Sequence, residues 1–275
     1  MTNDLKTDHA TADAEAPGDD WHEPAWIEVK NLRYEVPGKQ ILKGVTLGVA
    51  PGEILCVMGM SGSGKTTVLH CIGGLTGATS GEIRIGDAQI VGMRENDLNR
   101  VRERMGMVFQ YAALFDSLTV FENVAFGLRR RRRMAGDEIK KVVAEKLALV
   151  GLPGTETMYP SQLSGGMAKR VGLARAIAMS PEILLYDEPT SGLDPVVASV
   201  VDELIMQMRD KLGVTSIVVS HNITSIFRIS DKIAMIHEGR VLATGTPQQI
   251  QASDNPIVRQ FIEGRSQGPI EVARR

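Results

Sequence analysis

Apolar and polar residues alternate along the first part of the chain, as they do in strands with one buried face. The alternation covers residues 26–30 and 32–36, and residues 45–49 have a similar mixture. Gly38 predicts a turn before the third of these runs, and residues 81–87 predict a hairpin. We therefore expect a small antiparallel sheet in this part of the chain.

Later in the chain, short apolar runs alternate with longer stretches that have helical spacing. The apolar runs, which predict buried strands, cover residues 54–58, 105–109, 183–186 and 214–219. The predicted helices cover residues 67–72, 95–104, most of 117–150, 167–178 and 195–212. This strand–helix–strand succession predicts an α/β fold with a parallel sheet and right-handed crossovers.

The two ends of the chain differ from this pattern. Residues 1–23 are rich in Asp, Ala, Thr and Glu, a composition that predicts a disordered acidic tail. Residues 24–246 are expected to form one domain, with a helical subdomain inserted over about residues 111–178. A last hairpin is predicted over residues 233–246. The C-terminal extension, residues 247–275, is expected to be helical and polar.

Composition and charge narrow the classes of function. The 275 residues carry a formal net charge of −2 and are 43% hydrophobic, which is enough for a sizeable core. The near-neutral charge and an aromatic content of 4% both argue against nucleic-acid binding. Cys56 and Cys71 lie in apolar segments, so we expect reduced, buried thiols rather than a zinc site.

The sequence predicts a cytoplasmic protein that a partner could still hold at a membrane. No apolar run approaches the ~20 residues that a membrane helix needs, and the acidic N-terminus does not resemble a secretory signal. The arginine run at residues 129–133 has two interpretations: a solvated helix face, or a surface that meets acidic groups or lipid headgroups.

Residues 59–66 carry the chemistry around which the chain is organised. They fit the pattern G-x-x-x-x-G-K-[ST], between an apolar strand and a helix start, and so predict a phosphate-binding loop (P-loop). The alternative is a flexible glycine turn before an ordinary helix. Glycines let backbone N–H groups approach a phosphate, Lys65 adds a charge for the β- and γ-phosphates, and Thr66 offers a hydroxyl to Mg²⁺. The residues predicted to contact the nucleotide are Gly59, Ser61, Gly62, Ser63, Gly64, Lys65, Thr66 and Thr67.

Four further polar residues each follow a predicted strand, where parallel α/β sheets place their ligands. Asp187 is expected to hold Mg²⁺ opposite Thr66, and Glu188 is the candidate general base for a water aimed at the γ-phosphate. Gln110 could contact Mg²⁺ or that water. His221 is a candidate γ-phosphate sensor, although a lone histidine is more often structural.

A further motif, Leu-Ser-Gly-Gly-Met at residues 163–167, resembles the signature motif of ATP-binding cassette (ABC) ATPases. The order of the other motifs matches that family from about residue 26 to residue 246. The resemblance implies a P-loop ATPase with a RecA-like parallel sheet core, a small antiparallel β subdomain and a helical subdomain. It also implies that Tyr34 stacks on adenine and that residues 191–194 form the loop linking two active sites.

The resemblance implies a site completed by a second copy of the chain. In this family two cassettes pair head to tail, and each ATP, with its Mg²⁺, lies between one P-loop and the other chain's signature motif. Ser164, Gly165 and Gly166 at a helix N-terminus form an anion site. Because the P-loop already provides the phosphate site of its own chain, this second anion site is free to serve another copy. The expected partners are therefore a second ATPase subunit and a transmembrane permease.

Three stretches resemble the ATPase subunits of Mla-type lipid transporters, which work with MCE-domain proteins. They are residues 163–178, where Met167 stands in place of the usual Gln, residues 109–120, and the tail at residues 258–269. This resemblance implies a phospholipid cargo, a role in outer-membrane lipid asymmetry, a small accessory subunit, and a position on the cytoplasmic face of the inner membrane. It also implies a tail that reaches over the partner ATPase subunit. Asn222 departs from the family, which often has Asp after the histidine.

Three other classes of function are alternatives. An importer ATPase for an amino acid or another small solute would have the same cassette. A soluble cassette for DNA repair, chromosome structure or translation would be expected to have a second cassette, zinc cysteines or a long coiled-coil insertion, and the sequence has none of these. A signalling or cell-division cassette with a non-transporting membrane partner is a further alternative.

Overall fold

The computed structural model describes residues 25–130 and 134–270. The strands are β1 (Ile27–Val36), β2 (Lys39–Val49), β3 (Ile54–Met58), β4 (Ser80–Ile85), β5 (Ala88–Gln89), β6 (Met105–Val108), β7 (Ile183–Asp187), β8 (Thr215–Val219), β9 (Lys232–His237) and β10 (Arg240–Gly245). The helices are α1 (Lys65–Ile72), α2 (Glu95–Arg102), α3 (Val120–Arg130), α4 (Gly136–Leu149), α5 (Gly165–Ile177), α6 (Pro195–Leu212), α7 (Ile223–Ile229), α8 (Pro247–Gln251) and α9 (Pro256–Glu263). A short 3-10 helix, Pro160–Gln162, precedes α5.

The centre of the molecule is a six-stranded sheet in the order β10–β9–β3–β8–β7–β6. Strands β9, β3, β8, β7 and β6 run parallel, and β10 pairs antiparallel with β9. Every residue of β3, β7 and β8 is buried, as expected for parallel strands covered on both faces. The predicted α/β fold with a parallel sheet is therefore confirmed.

The two faces of this sheet belong to two hydrophobic cores. Along β3, Cys56 and Met58 point into a core shared with the helices from α3 onward, whereas Leu55 and Val57 point into a second core. The second core is closed by α1 and by a four-stranded antiparallel sheet in the order β2–β1–β4–β5. Alternate side chains of one strand thus fix the helical layer and the antiparallel sheet on opposite sides of the parallel sheet.

Polar side chains of two helices fix the loop that follows β6. Arg175 of α5 donates to the carbonyl oxygens of Ala112 and Ala113, each at 2.7 Å. Asn123 is fully buried on α3, accepts from the backbone N–H of Phe115 at 2.8 Å, and donates back to the Phe115 carbonyl oxygen at 3.2 Å. These bonds satisfy backbone groups that an irregular loop leaves unpaired, so the loop keeps one conformation.

Some segments differ from the expectations. Helix α7 was not predicted, and β2 begins at Lys39, before the predicted run at residues 45–49. The C-terminal helices are also less polar than expected, because Ile250 and Val258 are buried in the first core. The predicted tail at residues 1–23 lies outside the described residues, as do residues 131–133 of the arginine run.

Within residues 25–130 and 134–270, no helix has both the length and the apolar character needed to cross a membrane.

Candidate functional site

The predicted P-loop lies between β3 and α1, and its geometry requires glycine at two positions. Gly59 has φ +146°, and a Cβ there would lie 2.1 Å from the carbonyl oxygen of Ile236. Gly64, the residue before α1, has φ +107°, and a Cβ there would lie 2.7 Å from a methyl carbon of Leu42. The loop can therefore pack against β2 and β9 only because these residues lack side chains.

Lys65 is buried at the start of α1, with its ammonium group turned onto the loop. Nζ donates to the carbonyl oxygens of Gly59 at 2.8 Å and Met60 at 2.9 Å. Burial lowers the pKa of Lys65, and the carboxylates of Glu188 and Asp187 oppose that shift. The ammonium group is thus held inside the loop, next to two acidic side chains, where it can be redirected toward an anionic ligand.

An oxygen-rich group faces the P-loop from the end of β7. The hydroxyl of Thr66 donates to Oδ1 of Asp187 at 2.9 Å, although the two residues belong to different elements. His70 Nε2 lies 3.9 Å from Oδ2 of the same carboxylate. A hydroxyl beside a carboxylate is the type of donor set that Mg²⁺ prefers, so these residues fit the metal that a P-loop implies.

Glu188 follows β7 directly and has an unusual backbone conformation. Its φ is +49°, in the left-handed region, and its N–H donates to the Val219 carbonyl oxygen at 2.9 Å. Its side chain is buried, and Oε2 lies 2.8 Å from Nδ1 of His221. Left-handed non-glycine residues are strained and concentrate at functional sites. The turn brings a buried carboxylate against an exposed imidazole, the pairing expected of a general base and its partner.

A cleft of about 800 Å³ brings most of the predicted site residues together. Gln110, Glu188 and His221 line it opposite the P-loop. Gln110 Nε2 also donates to Oγ of Ser191 at 3.4 Å, which joins the end of β6 to the loop after β7. The residues of the P-loop and the start of α1 that line the cleft are Gly59, Met60, Ser61, Gly62, Gly64, Lys65, Thr66 and Thr67. Ser63 lies beneath them, with a buried hydroxyl that has no hydrogen-bond partner among the described residues.

Six predicted site residues are outside the cleft lining: Ser63 and Asp187, which belong to the P-loop and to the contact with Thr66, and four residues on other elements. Tyr34 is half-buried on β1, where it packs against the second core. Ser164 caps α5 by accepting from the N–H of Met167 at 3.2 Å, and both Ser164 and Gly165 are exposed. Gly166, at the start of α5, is buried. Within one chain, the signature motif and the P-loop therefore form two separate groups.

The sequence reasoning missed other residues at the site. Lys39, Ile41 and Phe261 line the cleft, and they come from β2 and α9, far from the P-loop in sequence. Lys169 is buried on α5 beneath the loop after β7. The sequence could have predicted that Lys169 is buried, because it lies four residues before Leu173 on the buried face of a helix.

Comparison with known protein families and proteins agrees with this geometry. Residues 42–191 match the family described as ABC transporter. Two relatives are named intermembrane phospholipid transport system ATP-binding protein MlaF. The relative from Haemophilus influenzae is 42% identical over 244 residues, which are 89% of this chain and 92% of that protein. The relative from Escherichia coli is 39% identical over 244 residues, 89% of this chain and 91% of that protein.

A third relative has a different name. It is the probable ribonucleotide transport ATP-binding protein mkl of Mycobacterium leprae, 39% identical over 244 residues, 89% of this chain and 70% of that protein.

Solved structures have the same fold. A dimeric ATP-binding cassette in a post-hydrolysis state, bound to ADP and Pi, superposes with a TM-score of 0.74 at 33% identity, covering 80% of this chain and 98% of that chain. A component of the ABC transporter complex cbiONQ from Clostridium perfringens superposes with a TM-score of 0.77 at 31% identity, covering 88% of this chain and 95% of that chain.

Proposed function

The chain belongs to the ABC transporter family and is an ATP-hydrolysing cassette, and on that premise we propose that it drives the movement of phospholipid between membranes. The observation that carries the proposal is the similarity to two MlaF proteins, which extends over most of both chains. The cargo is a phospholipid of the kind that maintains outer-membrane lipid asymmetry.

The cleft is the proposed site for ATP with Mg²⁺. The P-loop backbone and Lys65 hold the phosphates, and Tyr34 stacks on the adenine. Thr66, Gln110 and Asp187 would supply oxygen atoms to Mg²⁺, and the bound ion would neutralise phosphate charge. The close Thr66–Asp187 contact and the buried Lys65 ammonium support this assignment.

Glu188 is the proposed general base. Its carboxylate takes a proton from the water that attacks the γ-phosphate, and His221 orients the carboxylate and contacts the phosphate. The 2.8 Å separation between Glu188 Oε2 and His221 Nδ1 supports this pairing. Gln110 positions the same water through its bond to Ser191.

Each ATP is proposed to lie between two copies of the chain. Ser164, Gly165 and Gly166 lie at the start of α5, where N–H groups have no acceptor within the helix and the helix dipole favours an anion. Because these residues are separate from the cleft of their own chain, they are available to the cleft of a second copy. The homodimer is then closed by ATP and released by hydrolysis.

The membrane partners are proposed from the helical subdomain and from the relatives. Tyr111 is 86% exposed, and the rings of Phe115 and Phe126 are partly exposed with centroids 4.7 Å apart. Exposed aromatic residues of this kind mark interaction surfaces, so we place the permease contact at residues 111–135. An MCE-domain protein and a small accessory subunit complete the complex, and the chain lies peripherally on the cytoplasmic face of the inner membrane.

Transfer of a labelled lipid tests the cargo. The chain is reconstituted, with the membrane proteins that co-purify with it, into donor vesicles that contain fluorescent phosphatidylethanolamine. With ATP, we expect the labelled lipid to redistribute between donor and acceptor vesicles, and we expect no redistribution with Glu188→Gln.

The relative named for ribonucleotide transport makes a small-solute importer the second candidate. ATP-dependent uptake of labelled ribonucleotide or amino acid, without lipid movement, would establish that candidate and exclude the first.

The end of the tail is proposed to clasp the partner ATPase subunit. Deleting all of residues 247–275 would remove Ile250 and Val258 from the core, so a shorter deletion is the better test. Removing residues 265–275 keeps every residue of α9, although Gln260 loses its bonds to Arg265 and Ile270. The deletion is expected to raise the dimer dissociation constant about tenfold, a loss of roughly 1.4 kcal/mol. Sedimentation equilibrium with ATP measures this constant. A truncated chain that pairs as tightly as the full chain would contradict the clasp.

A further inference from the structure

The ammonium group of Lys169 is buried beneath the turn that carries Glu188. Lys169 lies on the second turn of α5 and is 8% exposed. Its Nζ donates to the carbonyl oxygen of Ser191 at 2.6 Å and reaches that of Glu188 at 3.3 Å. Burial lowers the pKa of Lys169, and the nearby Glu188 carboxylate opposes the shift. A buried cation is costly unless its donors are satisfied, so these two carbonyls are its compensation.

The same short turn contains further groups that fix Glu188, in addition to Val219 and His221. The N–H of Ser191 donates back to the Glu188 carbonyl oxygen at 3.2 Å, which closes the turn. The hydroxyl oxygen of Ser191 accepts a hydrogen bond from the side-chain amide of Gln110 at 3.4 Å. Glu188 itself has φ +49°, a conformation that persists only when its surroundings enforce it. Lys169 is the charged group that bonds to both ends of this turn.

Lys169 also connects the two halves of the site. It belongs to α5, the helix that Ser164 caps, whereas the turn it bonds belongs to the segment between β7 and α6. A shift of α5 on contact with a nucleotide would therefore move the carbonyl groups of Glu188 and Ser191, one at each end of the turn. Both carbonyl oxygens bond to the same buried ammonium group, which ties them to α5.

We propose that Lys169 is a positioning residue for hydrolysis, which holds the turn from Glu188 to Ser191 so that the Glu188 carboxylate meets His221. This inference rests on the proposed role of Glu188 as the base, and it is independent of the transported cargo. On this proposal, a lysine outside the cleft determines the orientation of the Glu188 carboxylate.

Substitution by methionine tests the proposal, because methionine keeps much of the length of lysine without its donors. In the full chain, Lys169→Met is expected to lower kcat about 10- to 100-fold, the scale of a misplaced catalytic group, with the KM for ATP changed less than about threefold. Lys169→Gln retains an NH₂ group with two donors and is expected to recover part of the lost kcat. Lys146→Met is the matched control, since Lys146 is a buried lysine on α4, away from the cleft.

The outcomes separate this inference from the function proposed above. An unchanged kcat in Lys169→Met, with Glu188→Gln inactive, would overturn the positioning role and leave the base in place. Equal losses of kcat in Lys169→Met and Lys146→Met, each matching its loss of folded protein by circular dichroism, would show a merely structural role and overturn it too. A normal kcat in Glu188→Gln would overturn the base and, with it, this inference. If lipid transfer fails but Lys169→Met selectively loses kcat, the phospholipid cargo would be rejected and the positioning role of Lys169 would be supported.

Discussion

Replacing Glu188 with glutamine is expected to slow ATP turnover on the order of 10³-fold while leaving nucleotide binding intact. Glutamine has the shape of glutamate and can adopt the same backbone turn, but its neutral amide cannot accept the proton of the attacking water. It also cannot provide the charge that faces His221 at 2.8 Å in the parent chain. Steady-state phosphate release gives the turnover, and equilibrium binding of a fluorescent ATP analogue gives the affinity.

Glu182→Gln is the matched control for this prediction. Glu182 lies directly before β7, at the opposite end of the strand from Glu188, and pairs with Arg104 through bonds of 2.9 and 2.8 Å. Removing that partly exposed carboxylate is expected to leave turnover within about twofold, since exposed ion pairs contribute little. Near-normal turnover in Glu188→Gln would remove Glu188 as the base.

Replacing Lys65 with alanine is expected to weaken ATP binding about 100-fold. The ammonium group is buried inside the loop, and truncating one partner of a buried charge pair costs roughly 2–5 kcal/mol. Alanine also leaves the Gly59 and Met60 carbonyl oxygens without their present donor. Isothermal titration calorimetry with ATP and Mg²⁺ measures the change.

Lys39→Ala distinguishes a placed charge from general electrostatic attraction. Lys39 lines the same cleft but is exposed at the start of β2, where solvent and salt screen its charge. Its loss is expected to weaken binding less than about tenfold. Equal affinities for the parent chain and Lys65→Ala would contradict the assignment of the P-loop.

The parts of the site that lie within one local motif were predictable from the sequence. The strand, glycine loop and helix start around Lys65 follow each other directly, and local periodicity with turn residues is enough to place them. Asp187 and Glu188 were placed by the same logic, because parallel strands bring their carboxyl ends to one edge. What the sequence could not give was the conformation at Glu188, since its left-handed backbone depends on Val219 of β8 and on His221, which follows that strand.

The parts that were missed depend on contacts between distant segments. The first half of β2 contains Lys39, Gln40 and Lys43, and these polar residues do not predict a strand. This segment is a strand because it pairs with β1. Helix α7 is short, and its one local signal is Asn222, whose side chain accepts from the N–H of Ser225 at 3.2 Å. The sequence does not reveal the hydrogen-bond partners of Lys169, because these contacts form only when α5 packs beneath the turn after β7.

The most direct test of the composite site is the dimer dissociation constant of the Glu188→Gln chain, measured by sedimentation equilibrium with and without ATP. Since ATP is proposed to lie between the P-loop of one chain and Ser164 of another, ATP should lower this constant at least tenfold, a gain of roughly 1.4 kcal/mol or more. Adding Ser164→Arg should abolish that effect while ATP still binds to the P-loop. A dissociation constant that ATP leaves unchanged, or that ATP lowers equally with Ser164→Arg, would contradict a site shared between two copies.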